Sequence, residues 1–154
     1  MDNYICINGK KSELTEEQMR ALGIELFKAT PFERAEERKM YYVIGIRDKV
    51  DWFYESGDRF DEECFNVGNY CTDKAIMEQR ALHETLNRLL WRYSMKHDGE
   101  GNYTIAYNTE RDEFFAQNAY YKYFEPTFKT FKIAENAITE IIEPFMKAHP
   151  EFKW

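Results

Sequence analysis

Between Thr72 and Lys96 apolar residues recur with helical spacing on two sides of one segment. At about 100° per residue, Ala75, Leu82, Leu86, Leu89 and Tyr93 share one stripe. Met77, Trp91 and Met95 lie about half a turn away, with Arg80, Glu84 and Asn87 between the two. The pattern predicts a long helix, ending near Lys96, that must be covered on both faces, by a second layer of its own chain or by a partner. Thr72 stands where an N-cap is needed and Asp73 favours the first turn. A second helix is predicted after Thr130, which caps it. Phe131, Ala134, Ile138, Ile141 and Phe145 form its single apolar stripe, and Lys132, Asn136, Thr139 and Glu143 its polar side. Pro144 should kink or end this helix, because it lacks an N–H and its ring crowds the preceding turn.

Elsewhere the period shortens towards two. Tyr4-Ile5-Cys6-Ile7, Asn8-Gly9 and Lys10 to Leu14 read as a hairpin, since Asn-Gly tolerates the positive φ angles of a type I′ turn. Thr15 and Gln18 then have the spacing of a capping box, predicting a short helix over 16–22 that Gly23 ends. The charged run from Thr30 to Met40, with Pro31, is a connector. Tyr41 to Ile46 and Val50 to Tyr54 predict an antiparallel pair around Arg47-Asp48-Lys49, and Cys64 to Val67 a further short strand. Tyr103, Ile105 and Tyr107 alternate with Thr104, Ala106 and Asn108 as a half-buried strand does; Phe114 to Ala116 and Tyr120 to Phe124 supply one or two more. The fold class expected is therefore α+β. It is read as one domain over 1–154: a hairpin and helix over 1–29, then two antiparallel strand-helix units, over 41–97 and 102–148.

Composition narrows the partners. The chain has 154 residues, enough for one sizeable core, and its 17% aromatic content is that of a folding chain. With 28 acidic against 21 basic side chains the formal charge is −7, which disfavours free duplex nucleic acid and anionic membranes. No apolar run approaches the roughly 18 residues that span a bilayer, and Met1-Asp2-Asn3-Tyr4 does not begin a secretory leader, so a cytoplasmic protein is expected. Cys6, Cys64 and Cys71 are odd in number and contain no C-x-x-C pair, which argues against a disulfide framework and a zinc site.

Little in the chain promises catalysis. His83-Glu84-Thr85-Leu86-Asn87 has Asn where a zincin needs its second His, so the expected metal and cofactor content is none. Gly99-Glu100-Gly101 precedes a strand and offers no helix N-terminus to a phosphate. Arg80, Glu84, Asn87, Arg88 and Arg92 on the long helix flank Trp91, a composition common at interface hot spots. Trp91 is either buried within the chain or part of a partner or homodimer surface. Asp58, Asp61, Glu62 and Glu63 form an acidic stretch able to imitate phosphate spacing against a basic cleft. The tyrosines at 41, 42, 103, 107, 120, 121 and 123 are mainly sheet-stabilising, with their outward half a further binding face.

Several segments together carry a resemblance: Ile7-Asn8-Gly9-Lys10 with Glu13 to Gln18, Thr30-Pro31-Phe32-Glu33-Arg34 before Tyr41-Tyr42, Gly68 to Thr72, the helix from Glu78 to Tyr93, and Ile133 to Ile138 with Pro144-Phe145-Met146. On these the chain resembles uncharacterised accessory proteins of phages and prophages of gut Firmicutes. The resemblance implies a small mobile-element protein made inside a bacterial host cell and brings no site residue with it. The expected function is non-enzymatic: binding a host protein or protein–nucleic acid complex, with an acidic inhibitor of a host defence protein as one version. The alternative is a small-molecule or nucleotide binder, or an enzyme, using Arg80, Asn87 and tyrosines.

Overall fold

The computed structural model describes residues 4–7, 10–22, 30–99, 101–119 and 126–154. The chain divides into two compact units, residues 1–33 and 34–154. The first holds the antiparallel pair β1 (Tyr4–Ile7) and β2 (Lys10–Glu13), in register from Tyr4↔Glu13 to Ile7↔Lys10, and helix α1 (Glu16–Ala21). The expected Asn8-Gly9 turn and the Gly23 stop lie outside the described residues. The capping box at the start of α1 is present: the Gln18 amide donates to Thr15 Oγ1 at 3.3 Å and the Thr15 amide to Gln18 Oε1 at 2.9 Å.

The larger unit, like the smaller one, combines helices with antiparallel strands, so the chain is α+β. Its first pair is β3 (Met40–Ile44) with β4 (Val50–Tyr54), joined through a 3-10 turn over Ile46–Asp48 in which Arg47 and Asp48 both have positive φ. Register runs from Met40↔Tyr54 to Ile44↔Val50. Helix α2 (Arg59–Asn66) follows, then α3 (Lys74–Lys96), β5 (Tyr103–Asn108), β6 (Glu113–Asn118), α4 (Phe131–Ala137) and α5 (Glu143–Ala148). Among the described residues each sheet has two strands, and single bridges add residue 71 beside Tyr42 of β3 and Phe128 beside Tyr103 of β5. Residues 120–124, where a further strand is expected, lie outside the described residues.

Three details differ from the sequence reading. Cys64 to Val67 is not a strand, because Asp58 caps a helix at that place. Its carboxylate accepts from the Asp61 amide at 3.0 Å while the Asp61 carboxylate accepts from the Asp58 amide at 3.3 Å, a reciprocal box made by two aspartates. The cap of α3 is Asp73, one residue after Thr72, and it accepts from the amides of Ala75 and Ile76 at 2.8 and 3.2 Å.

The third difference concerns Pro144, which neither ends nor breaks the last helix. A π turn over Ile138–Ile142 joins α4 to α5, with the Glu143 amide bonded to the Ile138 carbonyl. Proline supplies no N–H for the bond to residue 140, so the wider turn absorbs the misfit. The extra residue shifts the buried stripe. Ala134, Ala137, Ile142 and Phe145 are buried, whereas Ile138 and Ile141, which an unbroken helical period selects, are only half-buried. Ile142→Ala is therefore expected to destabilise by about 2 to 5 kcal/mol and Ile138→Ala by clearly less. Equal shifts of the urea midpoint would contradict the π-turn register.

Helix α3 is buried on opposite sides at its two ends. Met77 and Ala81 are buried on the side from which Arg88 reaches Asp48, in the turn between β3 and β4. Leu86, Leu90 and Tyr93, about half a turn away, belong to a core with Ile105, Phe128, Ala134, Ile142, Phe145 and Phe152. Tyr41, Val43, Cys64 and Tyr70 form a separate cluster between β3 and α2. The two-sided helix predicted from the sequence is thus present, with Ala75 exposed and Met95, at 65%, open to solvent.

Candidate functional site

The charged groups of α3 are mostly tied down. Arg80 donates to Glu84 at 3.0 Å and to the Gly68 carbonyl; Arg88 reaches Asp48 and lies 3.7 Å from Glu84. The Arg88 bond holds the Asp48 carboxyl below its ordinary range. These pairs fix the helix against the turn between β3 and β4 and the loop before α3. Arg92 and Asn87 are exposed and make no hydrogen bond among the described residues, and Trp91 is half-buried. Arg80, Glu84, Asn87, Arg88, Trp91 and Arg92 thus share one side of α3, within an arc of about 140°, and ion pairs join Arg80, Glu84 and Arg88 in a row along it. Glu84 and Asn87 also line a cavity, and Arg88 reaches the β3–β4 turn.

The acidic stretch divides. Glu62 and Glu63 are exposed on α2, with Glu63 held 2.7 Å from Arg59, and Asp58 is committed to the cap. Asp61 points inward. One of its oxygens accepts from the Tyr41 hydroxyl at 2.5 Å and the other from the amide and hydroxyl of Ser56 at 2.7 and 2.9 Å. Burial alone would raise this carboxyl, but Tyr41, Ser56 and Asp58 donate to its charged form and hold it at about 2.

A second buried carboxylate, Glu55, lies beside it in the fold. Arg34 grips it with two bonds of 2.9 and 3.2 Å, the Tyr70 hydroxyl donates at 2.8 Å and the Gly57 amide at 2.9 Å. The Arg34 bond is the main reason that its carboxyl titrates below the ordinary range. Tyr70 in turn stacks on Tyr41 at 4.0 Å and is pushed up to about 12, first by burial. Among the described residues every buried side-chain nitrogen and oxygen has a hydrogen-bond partner, and the network holds α2 and the connector onto β3. The sequence reading missed it, because Arg34 and Glu55 are distant in sequence and each alone looks like a solvated charge. Burial also raises the thiol of Cys64, so this side chain is not an activated nucleophile.

What remains open to solvent is an aromatic strand. On one face of the β3–β4 pair Tyr41 and Val43 are buried; on the other stand Met40, Trp52 and Tyr54. Trp52 and Tyr54 are 57% and 56% exposed and meet edge to face at 5.6 Å. Phe53, on the inner face, is also partly exposed and touches Phe60 of α2 at 4.8 Å. Among the described residues β4 pairs with β3 alone, so this strand presents rings on both faces beside a free edge. The signal was in the alternation of Val50, Trp52 and Tyr54, opposite Ile44, Tyr42 and Met40, which leaves no polar face. The tyrosines singled out from the sequence are less open: Tyr41 is buried, Tyr42, Tyr103 and Tyr107 are half-buried, and Tyr120, Tyr121 and Tyr123 lie outside the described residues.

No helix among the described residues is long and apolar enough to cross a membrane. Comparison of the chain with protein-family models, with curated proteins and with solved structures finds no match.

Proposed function

We propose that the protein is a non-enzymatic accessory protein, of the phage or prophage kind that its sequence resembles, which acts in the cytoplasm of a bacterial host by binding a host protein. The observation that carries this reading is the solvent-facing Met40, Trp52 and Tyr54 on β4 and its partner strand. Soluble chains rarely leave a Trp, a Tyr and a Met together in water unless they meet a partner, and these residue types dominate interface hot spots. The edge of β4 that pairs with no strand among the described residues adds backbone groups to which an extended segment of that partner can bond. The chain's formal charge of −7 suits a partner with a basic border, as expected for the nucleic-acid site of a defence protein.

Affinity capture from host lysate tests this. The wild-type chain is expected to retain a stoichiometric protein, and Trp52→Ala to lose it by about 2 kcal/mol or more of binding energy while remaining folded. Capture that is equally strong with Trp52→Ala and Tyr54→Ala would move the contact away from β4. Retention of no protein at all would remove the reading itself.

A further inference from the structure

A cavity of about 270 Å³ opens between the middle of α3, the start of β5 and the C-terminal residues. Its floor is apolar and buried: Leu86, Leu90, Ile105 and Phe128. Its rim carries His83, Glu84, Asn87 and Trp154. This is the composition of a small-ligand pocket, an apolar floor with a few convergent polar groups, at the small end of the usual size range.

The wall formed by Trp154 is held in place by the fold. Gln79 donates to the Glu151 carbonyl at 2.7 Å and accepts from the Lys153 amide at 2.8 Å, clamping the last residues to α3. Phe152 is buried in the core, and the Trp154 ring stands edge to face on Phe114 at 4.9 Å and 44% exposed. The indole thus presents a surface to the opening without being swallowed by it. The His83 ring stands nearby, 6.1 Å from the indole and 4.7 Å from Phe152.

The polar rim fixes the kind of ligand. Asn87 carries a donor and an acceptor side by side and has no hydrogen-bond partner among the described residues. That pair matches the donor–acceptor edge of an amino-substituted heterocycle, the geometry by which Asn reads adenine. No Lys or Arg lines the cavity, and its one carboxylate, Glu84, is already paired with Arg80 and Arg88. A phosphate therefore has no place in it, whereas an exocyclic amino group has an acceptor in Glu84.

We propose that this cavity binds an uncharged, planar nitrogen heterocycle of nucleobase size, a free base or nucleoside, held along its edge by Asn87 and stacked on Trp154. The site is independent of the aromatic surface of β4, and each can fail without the other.

Titration calorimetry of the full chain with adenosine, with AMP and with indole is the test. Adenosine is expected to bind at one site, AMP more weakly, and indole, which lacks the paired edge, more weakly as well. Asn87 is exposed, so Asn87→Leu should keep the wild-type thermal midpoint and weaken adenosine by about tenfold or more, the usual value of one bidentate edge contact. Trp154→Phe, which keeps a stacking ring, should weaken it less than Trp154→Ala. Absence of saturable heat with adenosine at millimolar concentration would overturn the proposal. So would adenosine affinity unchanged in Asn87→Leu, indole binding as tightly as adenosine, or AMP binding more tightly than adenosine.

Discussion

Replacing Phe128 by alanine is expected to lower stability by about 3 to 5 kcal/mol, the range typical of a truncated buried aromatic. Phe128 is 1% exposed and sits where four structures meet: β5, the C-terminal helices, α3 and the tail at Phe152. Its backbone is engaged as well, donating to the Tyr103 carbonyl at 2.8 Å and accepting from the Tyr103 amide at 3.3 Å. The backbone of Gly101 packs so closely on the Phe128 carbonyl that no Cβ fits between them. The loss is that of the ring's buried contacts together with the space it leaves. Urea unfolding measures it. A loss no larger than that of Ile46→Ala, on the exposed turn after β3, would contradict the position assigned to Phe128.

Asp61→Ala is expected to destabilise the fold for a different reason. It leaves the fully buried Tyr41 hydroxyl without an acceptor, at about 1 to 3 kcal/mol, and unties the solvent-exposed Ser56 from the start of α2. The same change should alter the response to acid. Asp61 is held at about 2, below the roughly 3.9 of an unfolded chain, so the carboxylate stabilises the fold fully above the unfolded value. That contribution disappears as pH falls from about 4 towards 2, and Asp61→Ala should flatten this part of the stability profile. At the alkaline end the sign reverses. Tyr70 is raised to about 12, so its contribution is complete below about 10 and is lost between those values as pH rises. An acid limb equally steep in wild type and Asp61→Ala would show that other carboxylates govern acid unfolding.

Periodicity made the main elements legible. The two-sided pattern of Leu86 and Tyr93 against Met77 predicted a helix shared between layers, and the structure buries both sides of it. The pairing of β3 with β4 and of β5 with β6, and the caps of Thr15 and Thr130, also followed from local chemistry. Features that depend on contacts across the fold did not. The acidic run at Asp58 to Glu63 reads as an outward-facing phosphate mimic, yet Asp61 turns inward because Tyr41 and Ser56 arrive from β3 and the end of β4 to meet it. The choice of Ile142 over Ile141 depends on how the backbone accommodates Pro144, which a fixed helical period does not encode. Trp91 drew attention by its type, whereas the more open rings are Trp52 and Tyr54. In a strand the difference between a core face and a solvent face is set by what lies above it, and α3 covers only part of this one.

Helix α3 also sets how the chain can be divided. Its first half serves the β3–β4 side and its second half the core around Phe128, on opposite faces. A fragment ending at Lys96 would keep the hairpin and α2 but strip Leu86, Leu90 and Tyr93 of their cover; one starting after it would leave Ile105, Phe128 and Ile142 facing water. Neither piece is a transferable module. Any recombination that separates residues 34–97 from 101–154 forfeits one core or the other, so these segments are expected to be inherited, exchanged and lost together.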